Sequence, residues 1–179
     1  MASLTITIPQ ELFAPAESSH FEGTYDLPVM KAGPDLYTFS APVEWQVDIT
    51  NTGEALLLQG TCEGEAVTAC ARCGESALVS LFGELEGYYF LEAETAADQE
   101  YEADECEVLP ESHVIELSDK IQAAFILDVP YIPLCKDDCQ GLCPECGANL
   151  NEGPCGCEKP DEPVKENAFA VLKDLKLDN

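Results

Sequence analysis

A chain of 179 residues with 46% hydrophobic content can build one domain, or one domain with a small appendage, around a real core. Its net charge is −27, it holds only eight Lys and Arg residues, and Lys31 and Arg72 are the only two before Lys120. It lacks the clustered cations that binding to a phosphate backbone normally requires, so it should be repelled by free RNA and drawn to basic proteins; the plainer reading is that the acidic surface serves solubility or a salty cytoplasm.

Leu4-Thr5-Ile6-Thr7-Ile8 alternates apolar and polar residues up to Pro9, which predicts a strand. No basic residue precedes Lys31 and no apolar run follows Met1, so no secretory signal is expected. Val43, Trp45, Val47 and Ile49 repeat the alternation, and Asn51-Thr52-Gly53 supplies a turn. Leu56 to Ala69 and Ala77 to Phe90 are β-prone as well. They flank Cys70-Ala-Arg-Cys73-Gly74, which therefore sits at a hairpin-like connection. Successive strands with short turns predict an antiparallel β-sheet or a partly open barrel.

Between Glu92 and Glu111 nine of twenty residues are acidic and none is basic, which predicts a solvated loop. Ser118 is the expected N-cap of a helix that carries Ile121, Ala124 and Phe125 at helical spacing and stops before Pro130. The longest apolar stretch, around Ala123 to Leu127, falls far short of the roughly 20 residues of a membrane span, so no membrane is expected as a partner. Tyr131 to Leu134 leads in extended form to Cys135. Near the end, Phe169, Val171, Leu172 and Leu175 form an apolar stripe that predicts a short helix. The expected class is α+β with short helices and a C-terminal zinc-ribbon-like knuckle. Residues 1–134 form the β-rich domain, 135–158 a cysteine-rich segment, and 159–179 the tail.

Ten cysteines in a chain with no expected secretory signal point to metal ligation in a reducing cytoplasm rather than to disulfides. Cys143-Pro-Glu-Cys146-Gly147 is a tight turn in which two thiolates converge on one ion, and proline and glycine supply the backbone the turn needs. Zinc takes four such ligands, and Cys155 and Cys157 are the next donors along the chain, after a loop with the turn formers Asn149, Asn151 and Gly153. An iron–sulfur cluster could use the same four sulfurs. Cys70 with Cys73, and Cys135 with Cys139, could form a second zinc site. In the competing partition, Cys135 and Cys139 join Cys143 and Cys146. A redox role for Cys70 and Cys73 is disfavoured, because a reactive dithiol sits at a strand-to-helix junction and this pair lies between strands. Cys62 falls in a strand pattern as a buried small hydrophobe, Cys106 lies in the acidic stretch, and neither His20 nor His113 has a partner at ligand spacing. With no phosphate loop, HExxH or nucleophile elbow in the chain, neither an enzyme nor a small-molecule substrate is expected.

The chain resembles the YceD family of bacterial and plastid proteins associated with accumulation of large-subunit ribosomal RNA. The resemblance rests on Cys70-Ala-Arg-Cys73, on Ile115-Glu-Leu-Ser-Asp-Lys-Ile121 and on Pro130-Tyr-Ile-Pro-Leu-Cys135. It continues through Cys139-Gln-Gly-Leu-Cys143-Pro-Glu-Cys146-Gly-Ala-Asn149-Leu-Asn151 and into Asn167-Ala-Phe-Ala-Val-Leu172. The closing segment departs from the family pattern at Ala168, where proline is usual. The resemblance implies a role in synthesis, processing or stability of 23S rRNA during ribosome assembly. Some members keep the early CxRC and lack the CPxCG tail, which favours Cys70 and Cys73 pairing with Cys135 and Cys139. For mechanism, the charge favours an assembly factor that holds a basic ribosomal or assembly protein of the large subunit. A direct RNA-binding zinc module and a structural subunit of a larger complex are the rival readings.

Overall fold

The computed structural model describes residues 3–91 and 107–157. Most of the acidic stretch, including Cys106, and the predicted C-terminal helix lie outside the described residues. The chain divides into two compact units, Met1–Cys139 and Gln140–Asn179. The order of cysteines alone suggests a boundary at 134. It falls at 139 because Cys135 and Cys139 pack with Cys70, Cys73 and Ala77 in a small cluster of the first unit.

The first unit is built on two open sheets, so the partly open barrel is not formed. β1 (Thr5–Thr7) pairs antiparallel with β9 (Val114–Glu116). The larger sheet holds β2 (Ser18–Tyr25), β3 (Val29–Ala32), β4 (Asp35–Phe39), β5 (Val43–Asn51), β6 (Ala55–Ala69), β7 (Ser76–Phe90) and β8 (Glu107–Val108). All its pairings are antiparallel except β7 with β8. β6 and β7 form the spine, paired without a break from Ala55↔Phe90 to Ala69↔Ser76. The far end of the acidic stretch is therefore not a free loop: Glu107 and Val108 pair with Tyr89 and Phe90, and Leu109 is buried.

A single α-helix is found among the described residues, α1 (Ser118–Asp128). Leu117, not Ser118, is its N-cap, and the Ser118 hydroxyl instead accepts the Leu4 N–H at 2.7 Å, tying the helix start to β1. Ile121, Ala124 and Phe125 face the core, where Phe125 stacks on Phe39 at 5.7 Å between ring centres. The helix can lie this close because Gly83 on β7 has no side chain. A Cβ there would stand 2.7 Å from the Ala124 Cβ and 2.9 Å from the Cys62 sulfur. No helix among the described residues is long and apolar enough to cross a membrane.

Candidate metal centres

The turn between β6 and β7 carries the first cysteine pair. Gly74 donates its N–H to the Cys70 carbonyl at 2.9 Å and takes a φ of 77°, a left-handed conformation that glycine reaches without strain. The Cys70 N–H bonds the Glu75 carbonyl at 2.7 Å and closes the knuckle. Cys143-Pro-Glu-Cys146-Gly147 repeats the device in the second unit. There Gly147 donates to the Cys143 carbonyl at 2.9 Å with a φ of 73°. Two copies of Cys-x-x-Cys-Gly thus fold into the same hydrogen-bonded turn, each holding two sulfurs on one side.

The other two sulfurs of each group arrive differently. After α1 the chain runs back beside the first knuckle, and the Ala71 N–H bonds the Pro133 carbonyl at 2.8 Å. The Arg72 guanidinium donates to the Cys139 carbonyl at 2.9 Å. This brings Cys135 and Cys139 to Cys70 and Cys73, with all four sulfurs within 4.8 Å of one another. In the second unit a bridge between Leu142 and Asn149 turns the chain, and Asn151 accepts the Gln140 N–H through its side chain. Cys143, Cys146, Cys155 and Cys157 come equally close. The structure groups the eight cysteines in this partition and not in the competing one.

The geometry fits a metal ion. Sulfurs about 2.3 Å from a tetrahedral centre stand about 3.8 Å from each other. Cys70 and Cys139 are 3.8 Å apart, and Cys73 and Cys135 are 3.6 Å apart. A disulfide would need about 2.05 Å, and the nine described cysteines are all free. Burial pushes the Cys70 thiol up, but the backbone N–H groups of Arg72, Cys135 and Cys73 outweigh it and hold the group down at about 6. Cys143 is held at about 6 as well, by the N–H groups of Cys146 and Glu145 and by a hydrogen bond from Cys155. At Cys135 burial and the neighbouring sulfurs push the thiol up to about 12. Hydrogen bonding with Cys146 and Cys155, together with burial, does the same at Cys157. Each cluster thus sets a thiol held down by backbone N–H groups beside one pushed up by its neighbouring sulfurs, and a bound cation would favour the thiolate form at both.

The two clusters differ in exposure. Cys70, Cys73 and Cys139 are buried, whereas in the second cluster only Cys143 is buried and Cys146 is exposed. Cys62 lies in the core under Gly83, where burial pushes its thiol up to about 12, so it is an inert packing group. His20 bonds Asp48 on the sheet surface, and His113 lies beside the Phe13 ring; neither belongs to either group of sulfurs. Arg72 stands in the sequence as a scarce cation and as part of the Cys70-Ala-Arg-Cys73 motif, with no contact of its own assigned. Its place inside the first Cys-x-x-Cys could have marked it as a side chain aimed at the neighbouring ligand segment.

Residues 58–176 match the family described as "Large ribosomal RNA subunit accumulation protein YceD". An uncharacterized protein of Mycobacterium tuberculosis is 32% identical over 118 residues, covering 64% of this chain and 54% of the relative. The "Large ribosomal RNA subunit accumulation protein YCED homolog 1, chloroplastic" of Arabidopsis thaliana is 26% identical over 164 residues, 78% of this chain and 50% of the relative. An uncharacterized protein of Mycobacterium leprae is 28% identical over 115 residues, 63% of this chain and 51% of the relative. The chain spans about half the length of the curated relatives it matches. No solved structure matches it.

Proposed function

The chain belongs to the YceD family, and from that premise we propose that it supports the accumulation of 23S rRNA as a non-catalytic, zinc-stabilised assembly factor in the cytoplasm. It does so by binding a basic ribosomal or assembly protein of the large subunit. The observation that carries the partner's chemistry is the net charge of −27. Ribosomal proteins are strongly basic before assembly, and an acidic partner masks that charge and speeds encounter by long-range attraction. Phosphate-rich RNA meets the same field as repulsion.

Zinc is the metal proposed for both cysteine groups, since four thiolates in a tetrahedral set suit it and the cytoplasm keeps cysteines reduced. When bound it supplies a structural cross-link. Cys70 and Cys73 hold the β6–β7 turn, and Cys135 and Cys139 fasten the segment after α1 to it. Cys143, Cys146, Cys155 and Cys157 hold the second unit. Tyr131 and Leu127, almost fully exposed near the end of α1, are apolar surface of the kind that binding partners cover.

Binding of the purified chain to individually purified large-subunit ribosomal proteins and to naked large-subunit rRNA, across a salt series, tests this reading. The expected result is tight, salt-sensitive binding to one or more basic proteins and none to the RNA at physiological salt. Tight RNA binding with indifference to basic proteins would overturn it and make the zinc knuckles the first site to mutate.

A further inference from the structure

The outer face of the larger sheet carries a concentration of carboxylates that neither group of sulfurs uses. Register aligns residues of β2, β5, β6 and β7 in rows across this face. One row has Glu22 at one end and Glu84 at the other, joined through Gln46 and Thr61. The next sets Glu44 directly opposite Glu63 and ends at Phe82. The row on the other side holds Asp48 and Glu86. Six carboxylates therefore share a patch of roughly 15 Å by 14 Å, from the spacing of strands and of alternate residues.

Folding gains nothing from setting Glu44 against Glu63. Like charges directly opposite on neighbouring strands are destabilising. Within the patch the described group that can carry positive charge is His20, which bonds Asp48 at 2.8 Å and lies 3.7 Å from Glu22. The described lysines and arginine lie outside the patch: Lys120 pairs with Glu107, Lys136 approaches Asp138, Arg72 serves Cys139, and Lys31, though on the outer side of the same sheet, sits on β3 beyond β4. Between the rows runs a trough of about 470 Å³ lined by Glu22, Glu44 and Glu63, with Phe82 on its wall. Phe82 is 50% exposed, and Leu78, on the same face of β7, is 64% exposed. A divalent cation is not the occupant, because no three acidic groups among the described residues come close enough to share an ion.

We infer that this face is the docking surface for a lysine- and arginine-rich segment of a protein partner, with its cations over the six carboxylates and an apolar side chain against Phe82. The inference rests on the basic-partner reading above and assigns that reading to one face. Complementary charge brings the segment in, and the aromatic at the edge of the trough holds it once water is displaced.

The test uses the full chain in three forms. The face variant carries Glu22→Gln, Glu44→Gln, Glu63→Gln and Glu84→Gln. A control variant carries the same charge change at the exposed Glu11, Glu17, Glu111 and Glu116, which lie in the same unit and outside the strands of the larger sheet. Phe82→Ser is the third. Each is titrated against individually purified basic ribosomal proteins of the large subunit. The face variant should weaken binding at least about 10-fold, mainly through slower association, and the control by less than about 3-fold. Phe82→Ser should weaken binding through faster dissociation while the salt dependence stays the same. Because it removes like-charge pairs, the face variant should melt no lower than the wild type. Equal losses in the face and control variants would overturn the docking face and leave the basic-partner reading standing. Wild-type protein that binds none of the basic proteins would overturn both.

Discussion

Stripping metal from the first cysteine group should loosen the first unit by a predictable amount. Cys73 and Cys135 are 62 residues apart in the chain. A cross-link over that span removes chain entropy from the unfolded state worth about 4 kcal/mol, if the metal clip acts as a covalent link does. That is a large share of the 5–15 kcal/mol that holds typical domains together. With a urea slope of about 2 kcal/mol/M, the unfolding midpoint should fall by about 2 M. Trp45, the sole tryptophan, is packed against the core of this unit, so its fluorescence follows the transition. The wild type should be compared with and without a strong chelator, beside Cys73→Ser and Cys146→Ser. Bound zinc should fall from two equivalents to one in each variant. Only Cys73→Ser and the chelator should shift the Trp45 transition, since Cys146 belongs to the other unit. Two equivalents of zinc retained in Cys73→Ser, or an unmoved Trp45 midpoint after complete chelation, would refute the clip.

Gly83→Ala should cost about 1–3 kcal/mol in urea unfolding, because the new methyl meets Ala124 at 2.7 Å, and adding Ala124→Gly should return part of the loss. An unchanged Gly83→Ala would mean that α1 does not rest on β7 as described. Arg72→Met removes the hydrogen bond to the Cys139 carbonyl, so one of the two zinc equivalents should leave about 10-fold faster to a chelator while the other keeps its rate. The hydrogen bond that His20 donates to Asp48, aided by the charges of Asp48 and Glu22, raises His20 above its ordinary 6.5. A raised folded-state pKa means the pair's contribution is full below about 6.5 and fades as pH climbs through the folded value. Asp48→Asn should bring the NMR titration midpoint of His20 down; a midpoint that stays put would show that the pair does not form in solution.

The sequence by itself carried whatever depends on neighbours a few residues away. The alternation in residues 43–49 was legible, because burial on one face of a strand repeats every second residue, and β6 and β7 were legible as β-prone stretches. The Cys-x-x-Cys-Gly turns were legible for the same reason: one turn brings two sulfurs together without help from the rest of the chain. β2 was not, since Ser18–Tyr25 buries only Tyr25 fully and leaves no apolar rhythm to read. Nor was β8, a two-residue strand whose pairing comes from β7 and not from its own side chains. Ser118 has the residue type of an N-cap, yet its hydroxyl is taken by Leu4, 114 residues away. Tertiary structure alone decided which cysteine pairs meet. The choice between Cys135 with Cys70 and Cys135 with Cys143 depends on where the chain goes after α1, and spacing along the chain holds no information on that return path. It also decided that acids scattered over β2, β5, β6 and β7 line up as one face. Side-chain direction along each strand is local, but which strands lie side by side, and in what register, is set by the core they bury together.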